Sequence, residues 1–99
     1  MIAIKIHRSY RTVVGICDAS LIGKKFEENE RQLDLRENFY KEKEVQIDEA
    51  VRIIGIQAVE DATFNIVGKN SIQAAIKAGI IREKEVDSIQ GIPFALTFL

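Results

Sequence analysis

Cysteine, histidine, proline and methionine each occur once in the 99 residues, and tryptophan not at all. A lone cysteine excludes an internal disulfide. With a single histidine beside it, clustered zinc sites and nucleophile–histidine–carboxylate triads have few available members, and no metal, cofactor or catalytic residue is expected. The chain also lacks a charge excess, with 14 basic and 15 acidic residues and a formal net charge of -1. A self-sufficient nucleic-acid binder carries a clear basic surplus, so direct high-affinity binding of nucleic acid is not expected. No apolar run approaches the length of a bilayer span. Lys5, His7 and Arg8 interrupt the N-terminal apolar residues too early for an export signal. The expectation is a monomeric cytoplasmic protein without membrane contact.

What the chain does have is a hydrophobic content of 46% alongside 29% charged residues, which suits one globular domain over residues 1–99. Its most site-like stretch is Thr63 to Gly79. Thr63–Val67 is strand-like, and from Asn70 the period changes: Ile72, Ala75 and Ile76 share one helical face. Asn70 and Gln73 have capping-box spacing, and Gly79 suits the close of a helix. A strand entering a helix through Gly68 aims the helix's free N–H groups beyond the strand. Asn65, Gly68 and Lys69 therefore define either a tight structural turn or an anion site in which Lys69 supplies counter-charge.

Upstream, Ile2, Ile4 and Ile6 alternate with Ala3, Lys5 and His7, and Thr12–Cys17 is a second strand, so the two form a hairpin. Cys17 reads as a small buried hydrophobe and His7 as an exposed strand histidine. Arg31–Leu35 is expected as a short strand with loop on both sides, and 38–44 as a polar loop. A helix starts near Asp48 as N-cap, with Ala50, Val51, Ile54 and Ala58 inward and a weak point at Gly55. Val86–Ile89 and Phe94–Phe98 are the final strands, separated by a turn at Gly91-Ile92-Pro93. The result is an α+β fold, a mixed sheet of about five strands with two helices mainly on one face, in the order β-β-β-α-β-α-β-β. The Thr63–Val67 strand and the last strands are expected to make a parallel crossover around the second helix.

Chemical motifs are sparse. Gly23-Lys24 resembles the end of a phosphate-binding loop, but Asp18 and Lys25 stand where that motif needs glycine and serine or threonine. Lys24, Lys25, Arg31 and Arg36 form a local basic group diluted by interspersed glutamates. Phe39-Tyr40, in a polar stretch, either packs back onto the core or serves as an interface anchor.

Cys17-Asp18, Leu21-Ile22-Gly23-Lys24 with Phe26, Leu33-Asp34-Leu35, Phe39-Tyr40, Asn65-Ile66-Val67-Gly68 and Gly91-Ile92-Pro93 occur in one order. In this the chain resembles a small archaeal domain-of-unknown-function family that includes the crenarchaeal translation recovery factor. The resemblance covers essentially the whole chain. It implies a single-domain cytoplasmic protein without enzymatic activity, which binds the gamma subunit of archaeal initiation factor two and promotes its release from mRNA 5′ ends. Contact residues would then be Lys24, Lys25, Arg31, Arg36, Phe39 and Tyr40. Family members often carry a histidine after the Gly-x-Pro turn; this chain has Phe94, Ala95 and Leu96 there. The alternative reading is a small anion-, nucleotide- or RNA 5′-phosphate-binding domain built on the Gly68 helix N-terminus.

Overall fold

The computed structural model describes residues 1–97. Alternation of apolar side chains along Ile2–His7 (β1) and Val13–Asp18 (β2) builds an antiparallel hairpin, in register from Ile2 opposite Asp18 to His7 opposite Val13. Thr63–Val67 (β6) lies parallel to β2, and Ile92–Thr97 (β8) runs antiparallel to β6. The short strands Lys43–Val45 (β5) and Asp87–Ile89 (β7) close the two edges, giving a six-stranded sheet in the order β5-β1-β2-β6-β8-β7. The architecture is thus α+β with a mixed sheet. The expected parallel crossover is displaced: the parallel pair is β2 and β6, and the element that crosses between them is Ile47–Val59 (α2). The Thr63–Val67 strand meets its C-terminal neighbour antiparallel instead.

One face of the sheet carries Ile2, Ile4, Val14, Ile16, Phe64 and Ile66, all essentially inaccessible. Against it pack α2, through Ala50, Ile53 and Ile54, and Lys69–Lys77 (α3), through Ile72, Ala74 and Ala75. Each large side chain buried this way contributes about 1.5–3 kcal/mol. α2 is capped at Gln46, with Asp48 and Glu49 in the first turn, where their charge opposes the helix dipole. Asp48 is therefore not the N-cap, and the helix continues through Gly55 to Val59.

The opposite face is also covered, which no local periodicity announces. Arg31–Asp34 (β4) is the short strand expected there, and Lys25–Glu28 (β3), where loop was expected, pairs with it in a separate hairpin around Asn29-Glu30. The stretch expected as polar loop holds a helical turn, Glu37–Tyr40 (α1), and the edge strand β5. Leu33, Leu35 and Tyr40 with Cys17, Val67 and Ile89 make a second apolar cluster between this layer and the sheet. At the C-terminus the turn falls at Gln90-Gly91, so Ile92 and Pro93 already belong to β8. Phe98, expected in that strand, lies outside the described residues. Among the described residues no helix is long and apolar enough to cross a membrane.

Candidate functional site

Parallel strands that end side by side leave a crevice beyond their carboxyl ends, where open α/β sheets place ligands. Here β2 ends at Asp18 and β6 at Val67, and Gly68 carries the chain from β6 into α3. Asp18, Ser20, Leu21, Gly68, Lys69 and the Gly91–Pro93 segment line a cleft of about 350 Å³ at this point. Three short segments that are remote in sequence, 18–21, Gly68-Lys69 and 91–93, meet here.

Two N-terminal amides of α3 already have a partner within the protein. The Asp18 carboxylate accepts from the Asn70 N–H at 3.1 Å, the Ser71 N–H at 2.8 Å and the Ser71 hydroxyl at 2.7 Å. Two of the amides that would cradle a phosphate are therefore occupied by a carboxylate of the protein itself, and the Gly68 N–H donates to the Pro93 carbonyl at 2.8 Å. No Asn70–Gln73 capping box forms; the N-cap is Gly68, and its cap is supplied from Asp18. Gly68 sits at φ 108°, open to glycine, and an added Cβ would lie 2.4 Å from Asp18 Cγ. Asn65 is part-buried in β6 beside Gly15 and does not reach the helix N-terminus by any hydrogen bond described. Gly68 makes the turn from β6 into α3, and Asp18 packs against it. Nothing local in the sequence signals this pairing, because the donors lie more than fifty positions from the acceptor.

Of the six expected contact residues the four basic ones are exposed and the two aromatics are not. Lys24 and Lys25 are exposed at the β3–β4 hairpin. Arg31 bridges to the sheet edge, with Nη1 2.7 Å from Asp87 Oδ2 and Nη2 3.2 Å from the Ser88 carbonyl. Arg36 is paired with Asp34 at 2.8 Å and is well exposed. The aromatics take the core option. Tyr40 is 9% exposed, and burial, then the Cys17 and Asp34 charges, pushes its hydroxyl from an ordinary 10.0 up to about 12. Phe39 is half-buried, stacks on His7 at 4.6 Å and meets Tyr40 edge-on at 4.8 Å. His7 is part-buried and not the exposed strand histidine expected: Nε2–H donates to the Phe39 carbonyl at 2.7 Å. Cys17 is fully buried, as expected, and its thiol is raised from 9.0 to about 12 by burial and then by Asp18.

Among the described residues the aromatic side chain that does face solvent is a different one. Tyr10, between Arg8 and Arg11 at the tip of the β1–β2 hairpin, is fully exposed. Its type and flanking charges are visible in the sequence, but its exposure is not. Among the described residues no group of three or more His, Cys, Asp or Glu is placed to hold a metal ion.

No curated protein matches this chain. A crystal structure of an uncharacterized conserved protein from Methanopyrus kandleri is similar, with a TM-score of 0.87 and 27% identity over 98% of this chain and 90% of that one. A family model described as "Protein of unknown function (DUF424)" matches residues 7–99. With nearly the whole chain covered, the protein belongs to that family of unknown function.

Proposed function

We propose that this protein is a non-enzymatic, translation-associated binding factor. It binds the gamma subunit of archaeal initiation factor two as a monomer in the cytoplasm and promotes release of that factor from mRNA 5′ ends. The partner comes from the family resemblance. The observation that favours a binding factor over a phosphate-binding domain is the Asp18 carboxylate on the Asn70 and Ser71 amides. A phosphate entering there would have to displace a carboxylate already held by three donors.

On this reading the exposed hairpin charges, Lys24, Lys25 and Arg36, meet the partner, and Arg31 holds that hairpin against the β7 edge. Phe39 and Tyr40 support the surface from beneath. Release of RNA follows from linkage: a ligand that weakens RNA binding by the gamma subunit is itself bound more weakly by the RNA-loaded form. The test is titration of purified gamma subunit with this protein, free and loaded with a 5′-triphosphate RNA. A saturable complex that lowers RNA affinity is expected, weakened by Lys24→Glu with Lys25→Glu. Absence of a complex at micromolar concentration removes the partner assignment.

A further inference from the structure

The cleft at Asp18 does not stop at α3. Lys69 and Pro93 also line a neighbouring cleft of about 430 Å³, bounded on its far side by Glu83, Val86 and Asp87. Gln73, Ile76 and Glu83 are shared in turn with a third cleft, of about 690 Å³, which reaches Gly79 and Arg82. Together they form one groove running the length of the outer side of α3, between that helix and the segment 82–88. Its floor is apolar, built from Leu21, Pro93, Ile72, Ile76 and Val86.

Among the exposed charges that line this groove without an ion pair, lysines outnumber carboxylates two to one. Lys69 and Lys77, two turns apart on α3 and about 12 Å from each other, make no ion pair among the described residues. The carboxylates on its walls are mostly engaged: Asp18 by Asn70 and Ser71, and Asp87 by Arg31. Arg82 pairs with Glu85 at 3.6 Å. Glu83 is the exposed acidic lining residue without an ion pair among the described residues; Asp18 has none either but is only 7% exposed, its carboxylate held at the N-terminus of α3. The β7 edge beside the groove offers no free ladder at Ser88. Its N–H donates to Asp87 Oδ1 at 2.7 Å, and its carbonyl accepts from Arg31. An occupant is therefore held by side chains in the groove and not by adding a strand.

We propose that this groove docks a short acidic segment of a protein partner, one that carries aliphatic side chains among its carboxylates. Aliphatic groups fill the Leu21–Pro93–Ile76 floor, and carboxylates meet Lys69 and Lys77. The inference rests on the reading of the protein as a binding factor and adds to it a surface and a partner chemistry.

The probes are three synthetic decapeptides, alternating Asp/Leu, Lys/Leu and Asp/Ser, titrated into the isotope-labelled full chain. The Asp/Leu peptide is expected to shift amides of α3 and of residues 83–88, to bind more tightly than the other two, and to weaken as salt is added. Replacing both lysines, Lys69→Gln with Lys77→Gln, should weaken it roughly tenfold. Glu83→Gln should tighten it. All three side chains are exposed, so the variants are expected to keep the fold, as circular dichroism will check. Equal affinity for the Lys/Leu peptide, shifts confined to another surface, or no shift at millimolar peptide overturns the proposal. The gamma-subunit titration separates the two readings. If that subunit fails to bind while the Asp/Leu peptide binds, the partner identity falls and the groove stands. If the subunit binds the Lys69→Gln/Lys77→Gln variant unchanged, the groove falls.

Discussion

The carboxylate of Asp18 and the bare α-carbon of Gly68 are fitted to one another: a Cβ at position 68 would stand 2.4 Å from Asp18 Cγ and 2.7 Å from Oδ1. Asp18 can reach the Asn70 and Ser71 amides because residue 68 has no side chain. Gly68→Ala should therefore cost about 3 kcal/mol, combining the strain of a positive φ with overpacking. In an Asp18→Ala background the carboxyl contacts are gone and only the approach to Cβ, 2.8 Å, remains, so the same substitution should cost less, about 2 kcal/mol. Urea denaturation of the four members of this cycle measures the difference; additive effects would contradict the fit.

Asp18→Ala on its own should also be costly. It uncaps α3 and leaves the buried Ser71 hydroxyl without its acceptor, for a loss of about 3 kcal/mol. Asp18→Asn keeps an acceptor oxygen and should lose about half as much. Amide exchange across Asn70–Ile72 should accelerate in both variants, more in the alanine form.

A second close approach lies on the other face of the sheet. A Cβ at Gly15 would stand 2.7 Å from the Phe39 carbonyl oxygen and 3.1 Å from its ring. That carbonyl is backbone and also receives the His7 Nε2–H, so it has little freedom to yield. Gly15→Ala should destabilise by about 2 kcal/mol and move α1. Loss of the Phe39 ring-current shift on His7 is the specific NMR readout, since the two rings are stacked.

Alkali should unfold the protein earlier than its exposed groups would suggest. Burial keeps the Cys17 thiol and the Tyr40 hydroxyl protonated up to about 12, whereas in the unfolded chain they ionise near 9.0 and 10.0. Between those values the unfolded state has released protons that the folded state retains. Stability is thus full below pH 9 and falls as pH rises toward 12. Tyr40→Phe and Cys17→Ala should each flatten this fall, as thermal melts at about pH 8, 10 and 11 will show. The native thiol should also react slowly with a disulfide reagent at about pH 8, because it is both buried and protonated.

Asp87 behaves in the opposite sense. The Ser88 N–H, and then Arg31, hold its carboxyl below the usual 3.8. Arg31→Ala should raise that value toward 3.8 and quicken amide exchange at Asp87–Ile89, because the hairpin no longer screens the β7 edge. The melting temperature should hardly change, since both partners are exposed. An NMR pH titration of Asp87 in both proteins checks the direction.

Much of the main layer is legible in the residue order. The alternation of Ile2, Ile4 and Ile6 reports one buried sheet face directly, and the Ile72–Ala75–Ile76 spacing reports the buried face of α3, since each is a local periodicity. The β3–β4 hairpin is harder to see because its alternation is blurred: Lys25, Glu27, Glu28, Arg31 and Gln32 all face solvent, and only Phe26 and Leu33 pack inward. The roles of Phe39 and Tyr40 cannot be settled locally. A pair of aromatics in a charged stretch is compatible with core or interface until Gly15 and Cys17 are known to lie opposite.

By itself the sequence determined the mixed composition, the apolar faces of β1, β2, α2 and α3, and the family to which the chain belongs, because each is carried by neighbouring residues. Only the tertiary structure decided what the Gly68 turn is for. The N-terminus of α3 is an anion site by the physics of its free amides, whatever the sequence around it. Whether that site is open depends on which carboxylate the sheet delivers there. The parallel pairing of β2 with β6 brings Asp18 to it, and so closes it.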